Sequence, residues 1–387
     1  MAVTREPYGF VHADASTLKD VYGGVSGQVF VECMRIRPGD SDSSGAGKTV
    51  ILFSHPIGGG SFLPLVTALA AAGQHVIYCN TRYRGNDAAL IMEKCVLDLG
   101  ACIHDLKRRF GYARVILGGW SGGGSLSLFY QDQACAPTIT RTPAGDVVDL
   151  VAAKLPPADG ILLLAAHISR SVTLTEWLDP SILDEDAPFV RDKNLNIYAP
   201  ANLNQPPYSA GFVADFRAAQ IARNRRITAR VRATLAELAA AGEAGMERPF
   251  CVYGTMADVR WTDPTQDPSD RKPYTCYLGD PKTANDGPVG LARFTTLRSW
   301  LSQWSYDDSA ANGIINAGRI TCPALVINNT ADLACTPSHA HRLFAALAST
   351  DKAYHDVVGA DHYYVERLDL LPQAVGIITG WLDAHGF

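Results

Sequence analysis

Gly119-Trp120-Ser121-Gly122-Gly123 has the spacing G-x-S-x-G, which suits a serine nucleophile on a sharp strand-to-helix turn. Side chains two positions before and after such a serine would collide, so the turn needs glycine at 119 and 123. The helix that follows turns its first N–H groups and positive end toward the reacting carbon. An attacked carbonyl becomes an oxyanion and needs two preorganised donors. One is expected to be the N–H of Gly122. The other should come from His55-Pro56-Ile57-Gly58-Gly59-Gly60, with the N–H of Ile57 first and that of Gly58 second, because Pro56 has none. The general base is expected at His362, in Gly359-Ala360-Asp361-His362-Tyr363. Its orienting carboxylate is expected at Asp332, since Asp361 is too close to the histidine in the chain. Trp120 and His167 are expected to line the substrate pocket.

These assignments need elements that bring distant residues to one edge. Thr49 to Ser54, His75 to Cys79, Arg114 to Leu117, Gly160 to Ala166, Ala324 to Asn328 and Ala353 to Val358 read as buried strands. Helical patterns alternate with them at Phe62 to Ala72, Ala88 to Phe110, Ser125 to Gln131, Ser338 to Leu347 and Leu371 to Ala384. Gln28 to Ile36 reads as a half-buried strand, and the Gly-, Asp- and Ser-rich stretch from Pro38 to Lys48 as a loop. Alternation of this kind predicts an α/β fold, a mostly parallel doubly wound sheet with helices on both faces. Ligands bind such sheets at the carboxyl ends of the strands, where residues 55, 121, 167, 332 and 362 all fall. The alternation stops after His167 and resumes near 317. A mainly helical insertion is therefore expected at 168–316, with helices at about 210–241 and 289–304 and no short apolar strands. The core is left as 1–167 and 317–387.

Among the other histidines only His167, on the same edge just past the strand ending at Ala166, competes for the base. His355 lies within a strand, where it should pack. His339 and His341 are two apart on a helix, which does not put them on one face for a metal. Ser44 to Thr49 ends like a phosphate loop, but position 42 is Asp rather than Gly and the run precedes its strand. Arg82 and Arg84 are expected in structural ion pairs, Leu183 to Asp186 on a solvated face, and Trp177, Trp261, Trp300 and Trp304 mostly in the insertion's core.

On these motifs the chain resembles the α/β-hydrolase superfamily, its serine esterases and lipases with a large cap domain. Residues 119–123 match the nucleophile elbow, His55 to Gly58 the oxyanion loop, and Asp332 and His362 the acid and base. Asn80-Thr81-Arg82-Tyr83-Arg84-Gly85 is similar to the loop where that family often carries Asp-x-Arg-Gly. The matching core covers 48–166 and 320–387. Pro56 departs from the pattern, in which glycine often follows the histidine. The resemblance implies an esterase or lactonase that forms an acyl-enzyme, with the insertion as a cap over the site. A C–C bond hydrolase of a diketone-like intermediate, an acyltransferase and a non-catalytic ligand-binding member are the alternatives.

Composition sets outer bounds. The 387 residues are 47% hydrophobic and 19% charged, with a net charge of −5. That balance suits a globular chain with a large core and argues against nucleic acid or an anionic membrane as partner. No apolar run is long enough to span a bilayer, and the N-terminus lacks an apolar signal core, so a cytoplasmic location is expected. Nine scattered cysteines without a CxxC pair read as buried small hydrophobes. No cofactor or metal is expected, and the partner is a small-molecule ester or lactone.

Overall fold

A computed structural model describes residues 2–14, 27–39, 44–45 and 47–387. Positions 40–43 and 46, inside the expected Pro38 to Lys48 loop, lie outside the described residues.

Eight strands form one sheet: β1 Val3–Ala13, β2 Gln28–Pro38, β3 Thr49–Ser54, β4 His75–Cys79, β5 Arg114–Ser121, β6 Gly160–Ala166, β9 Ala324–Asn329 and β10 Lys352–Val357. Their order is β1-β2-β4-β3-β5-β6-β9-β10. β1 and β2 run antiparallel to each other and β2 antiparallel to β4, and every other pair is parallel. The central strands are apolar throughout because they face two cores at once. Val50 and Leu52 point into one cluster, and Ile51 and Phe53 into the other. Ile161 and Leu163 alternate with Leu162 and Leu164 in the same way. Helices α1 Pro64–Ala71 and Leu371–Ala384 cover one face, and α2 Met92–Asp105, α3 Gly122–Cys135 and Pro337–Ala346 the other.

β1 lies where no strand was expected. Its Pro7, which cannot donate to a ladder, is tolerated because β1 is an edge strand. The long pattern Ala88 to Phe110 divides. Its regular helix starts only at Met92, and Leu106–Phe110 is a π-turn that ends at left-handed Gly111 (φ 73°). His355 lies in β10 as expected, but its side chain is exposed rather than packed.

Between β6 and β9 no strand joins the large sheet. This insertion contains α4 Arg170–Trp177 and the long α5 Ala210–Ala240. It has an apolar cluster of its own, with Leu174, Ile227, Val231, Trp300 and Trp304. Arg223, on α5, is fully buried and holds Glu185 by two bonds of 2.9 and 2.7 Å. The helix expected over 289–304 is not formed. Phe294–Thr296 is instead strand β8, paired with β7 Pro249–Cys251, and only Leu297–Ser299 and a π-turn at Trp300–Trp304 are helical. The β-branched Thr295 and Thr296 and a partner strand override the apolar spacing.

Glu93 sits at the seam between α2 and this insertion, fully buried, with its carboxylate accepting from the Ser302 hydroxyl at 2.7 Å. Burial pushes its pKa from 4.5 up to about 7, against the opposing hydrogen bond from Ser302. Below pH 4.5 the folded and unfolded chains both hold this proton. Between there and about 7 only the folded chain holds it, so stability falls as pH rises through that window and is level above it. The loss is about 3 kcal/mol. Glu93→Gln keeps an acceptor for Ser302 and removes the charge. Its urea midpoint at pH 8 should therefore exceed the wild type's, with the difference vanishing near pH 4. Equal midpoints at both pH values would contradict this reading.

Candidate active site

The loops after β3, β5, β6, β9 and β10 leave the same edge of the sheet, because these strands are parallel neighbours. Ser121 ends β5 and caps α3 with φ 52° and ψ −125°. That left-handed backbone costs on the order of 1–3 kcal/mol. It persists because the glycines let strand and helix close on each other. A Cβ on Gly119 would lie 2.7 Å from the Gly124 Cα, and one on Gly123 only 2.2 Å from the Ser54 carbonyl oxygen. Gly123→Ala should therefore cost about 3 kcal/mol, with the backbone unable to give way as a side chain would. An unchanged denaturation midpoint would refute that packing.

His362 Nδ1–H donates to Asp332 Oδ2 at 2.6 Å. Asp332 is 0% exposed and His362 6%. The other carboxylate oxygen of Asp332 accepts from the N–H groups of Ala334 (2.7 Å) and Cys335 (2.9 Å). This fixes the carboxylate, and the carboxylate fixes the imidazole. The Trp120 ring lies 6.1 Å from that of His362. Cys335 offers its sulfur within 4.8 Å of the ligand atoms of Asp332 and His362, and Ser121 is among the side chains that act on its thiol. Burial and the Asp332 charge push that thiol well above its ordinary pKa. Asp361 takes no part. It caps its own turn, accepting from the N–H of Tyr363, Val365 and Glu366.

The loop of residues 55–60 is held from outside. Asn80 Oδ1 accepts from Gly59 N–H at 2.9 Å, and Gly85 N–H donates to the Ile57 carbonyl at 2.8 Å. Within the loop, Ile57 N–H donates to His55 Nδ1 at 3.3 Å, and Gly58 N–H to the His55 carbonyl at 2.8 Å. Both expected second donors thus already have partners. Arg82 is paired with Asp98 and Asp14, and Arg84 with Glu32.

A cavity of about 400 Å³ opens beside Ser121 and His55. Phe53, Phe62, Leu63, Tyr78, Trp120 and Tyr363 line it. His167 does not. Its Nδ1 faces Thr173 Oγ1 (3.1 Å) and Cys335 Sγ (3.3 Å). Burial, His339 and His362 hold it well below its ordinary pKa, so it is neutral. In the insertion, Glu176 pairs with Arg260 (2.6 Å) and with His339 (2.9 Å). Burial alone would raise Glu176, but Arg260 and His339 hold it well below the usual carboxylate range. Tyr277, also from the insertion, donates to or accepts from Tyr363 Oη at 2.6 Å and lies edge-on to His362 at 5.8 Å.

Sequence reasoning missed Cys335 and Tyr277. Cys335 had one signal, its place three residues after Asp332. Tyr277 had none. It also missed a cluster of three thiols. Cys33 and Cys79 pair across β2 and β4, and with Cys102 they bring three sulfurs within 4.8 Å of one another in the apolar core. By ligand chemistry these thiols suit a soft metal ion. At Asp332, Cys335 and His362 both carboxylate oxygens are already engaged.

An eight-stranded, mostly parallel sheet with helices on both faces and a left-handed serine between β5 and α3 defines the α/β-hydrolase fold, and this chain has it. No protein-family model matches the chain, and no curated protein matches it. Similar solved structures include the monoacylglycerol lipase of Paleococcus ferrophilus, at 14% identity over 100% of both chains and a TM-score of 0.45. A hypothetical protein of Pseudomonas aeruginosa is 13% identical over 98% of this chain and 94% of its own, with a TM-score of 0.49. Brefeldin A esterase, described as a bacterial homologue of human hormone sensitive lipase, is 15% identical over 99% and 76%, with a TM-score of 0.41. No helix among the described residues is long and apolar enough to cross a membrane.

Proposed function

We propose that this chain is a serine hydrolase that cleaves a carboxylic ester or lactone through an acyl-enzyme. The observation that carries the reading is the 2.6 Å bond from His362 Nδ1–H to a carboxylate with both oxygens engaged, beside a serine held at φ 52°. That bond leaves Nε2 of His362 as the acceptor for a hydroxyl proton. Ser121 attacks the carbonyl carbon as His362 takes its proton. His362 passes the proton to the leaving alkoxide, and water activated by the same imidazole then releases the acid. Gly122 N–H, at the start of α3, meets the oxyanion.

The substrate is small to medium and apolar, because the side chains lining the cavity are mostly apolar or aromatic and none is a carboxylate, Lys or Arg. Residues 168–316 act as the cap. Tyr277 reaches from it to the histidine loop, and closure there excludes bulk water. The test is a panel of p-nitrophenyl esters, lactones and ring-cleavage diketones. Turnover of neutral apolar esters or lactones supports the proposal. Turnover of diketones alone would replace it with C–C bond hydrolysis.

A further inference from the structure

We propose that the side chain of His55 is itself an oxyanion donor, its Nε2–H taking the place of the second backbone N–H beside that of Gly122. The inference rests on the acyl-enzyme reading above and adds a catalytic residue to it.

Three observations carry it. First, the loop's backbone donors have partners. Ile57 N–H points at His55 Nδ1, Gly58 N–H at the His55 carbonyl, and Gly59 N–H at Asn80 Oδ1. Second, the bond from Ile57 fixes the imidazole's proton. A nitrogen that accepts an N–H offers its lone pair, so in the neutral ring the proton sits on Nε2. Third, Nε2 hangs over the elbow. A Cβ built on Gly122 would lie 2.8 Å from it, so glycine at 122 makes room for this ring. His55 opens onto the same cavity as Ser121, and no hydrogen-bond partner is found for Nε2 among the described residues. A donor without a partner in a substrate cavity, above the residue whose N–H receives the oxyanion, is placed to receive it too.

The ring is also in the right state. Burial, then the charges of Arg170 and His362, lower its pKa to about 3. It is therefore neutral across the working range and keeps one proton, on one nitrogen. A neutral donor stabilises developing negative charge without giving up its proton to it, as an oxyanion hole requires. Pro56 belongs to the same account. Its ring removes a backbone donor at the position where a glycine would offer one, and a side chain supplies the bond instead.

Two variants separate this role from support of the loop. His55→Asn keeps an oxygen where Nδ1 accepts from Ile57 but cannot reach over Gly122. His55→Gln gives up that acceptor and carries an amide N–H about as far as Nε2. Asn should lower kcat by about 100-fold with KM and the thermal midpoint near wild type. Gln should retain much more of kcat. A thionoester, whose C=S sulfur is a poor acceptor for such donors, gives a readout that loop packing would not move. The wild type's preference for the oxoester over the matching thionoester should shrink in the Asn variant by the factor lost from kcat. Wild-type kcat in His55→Asn would overturn the proposal, as would equal losses on both esters or a Gln variant as slow as Asn. Failure of the underlying reading is distinct, since Ser121→Ala would then keep its turnover.

Discussion

Ser121→Ala should lower kcat about a million-fold while leaving the denaturation midpoint where it is. The size follows from the role. The hydroxyl is the atom that bonds to carbon, and removal of a nucleophile leaves only what binding and the oxyanion donors supply. The silence in stability follows from position. Ser121 is only partly buried, and alanine keeps the Cβ and the same φ of 52°. Steady-state ester turnover and a urea titration check both halves. A variant that still turns over at a tenth of the wild-type rate would remove Ser121 from the chemistry.

Asp332→Asn should lower kcat about ten-thousand-fold with little change in KM. One oxygen of Asp332 accepts from Ala334 and Cys335, and those N–H groups hold the side chain's orientation. An asparagine must therefore keep its oxygen there and turn its NH₂ toward His362. The imidazole then has to accept at Nδ1 and carry its proton on Nε2. Nε2 is the nitrogen that must receive the serine proton, so the base is present but in the wrong tautomer. Because the loss lies in proton transfer, it appears in kcat rather than in binding. A loss under tenfold would mean that the carboxylate does not set the tautomer.

The parts of this molecule that could be read from its sequence are those specified locally. Central strands declare themselves because each faces two cores, so Val50 to Phe53 and Ile161 to Leu164 are unbroken apolar runs. The elbow is legible because its glycines answer a local collision. Asp332 and His362 are legible because both follow core strands. β1 was not legible. Its Arg5, Glu6, Pro7 and Gly9 look like a coil, and only pairing with β2 makes it a strand. The segment 289–304 misled for the same reason, since its fate depends on β7. Cys335 and the ring of His55 gain their meaning from neighbours far away in the chain. His55 was read as part of a backbone loop, and nothing local announces that Ile57 would point at its imidazole.

The most direct test of the central claim is covalent. A fluorophosphonate should add once to the intact chain, and peptide mapping should place the adduct on Ser121, with labelling lost in Ser121→Ala and greatly slowed in His362→Ala. Absence of any adduct, or an adduct on Cys335 or elsewhere in place of Ser121, would contradict the account.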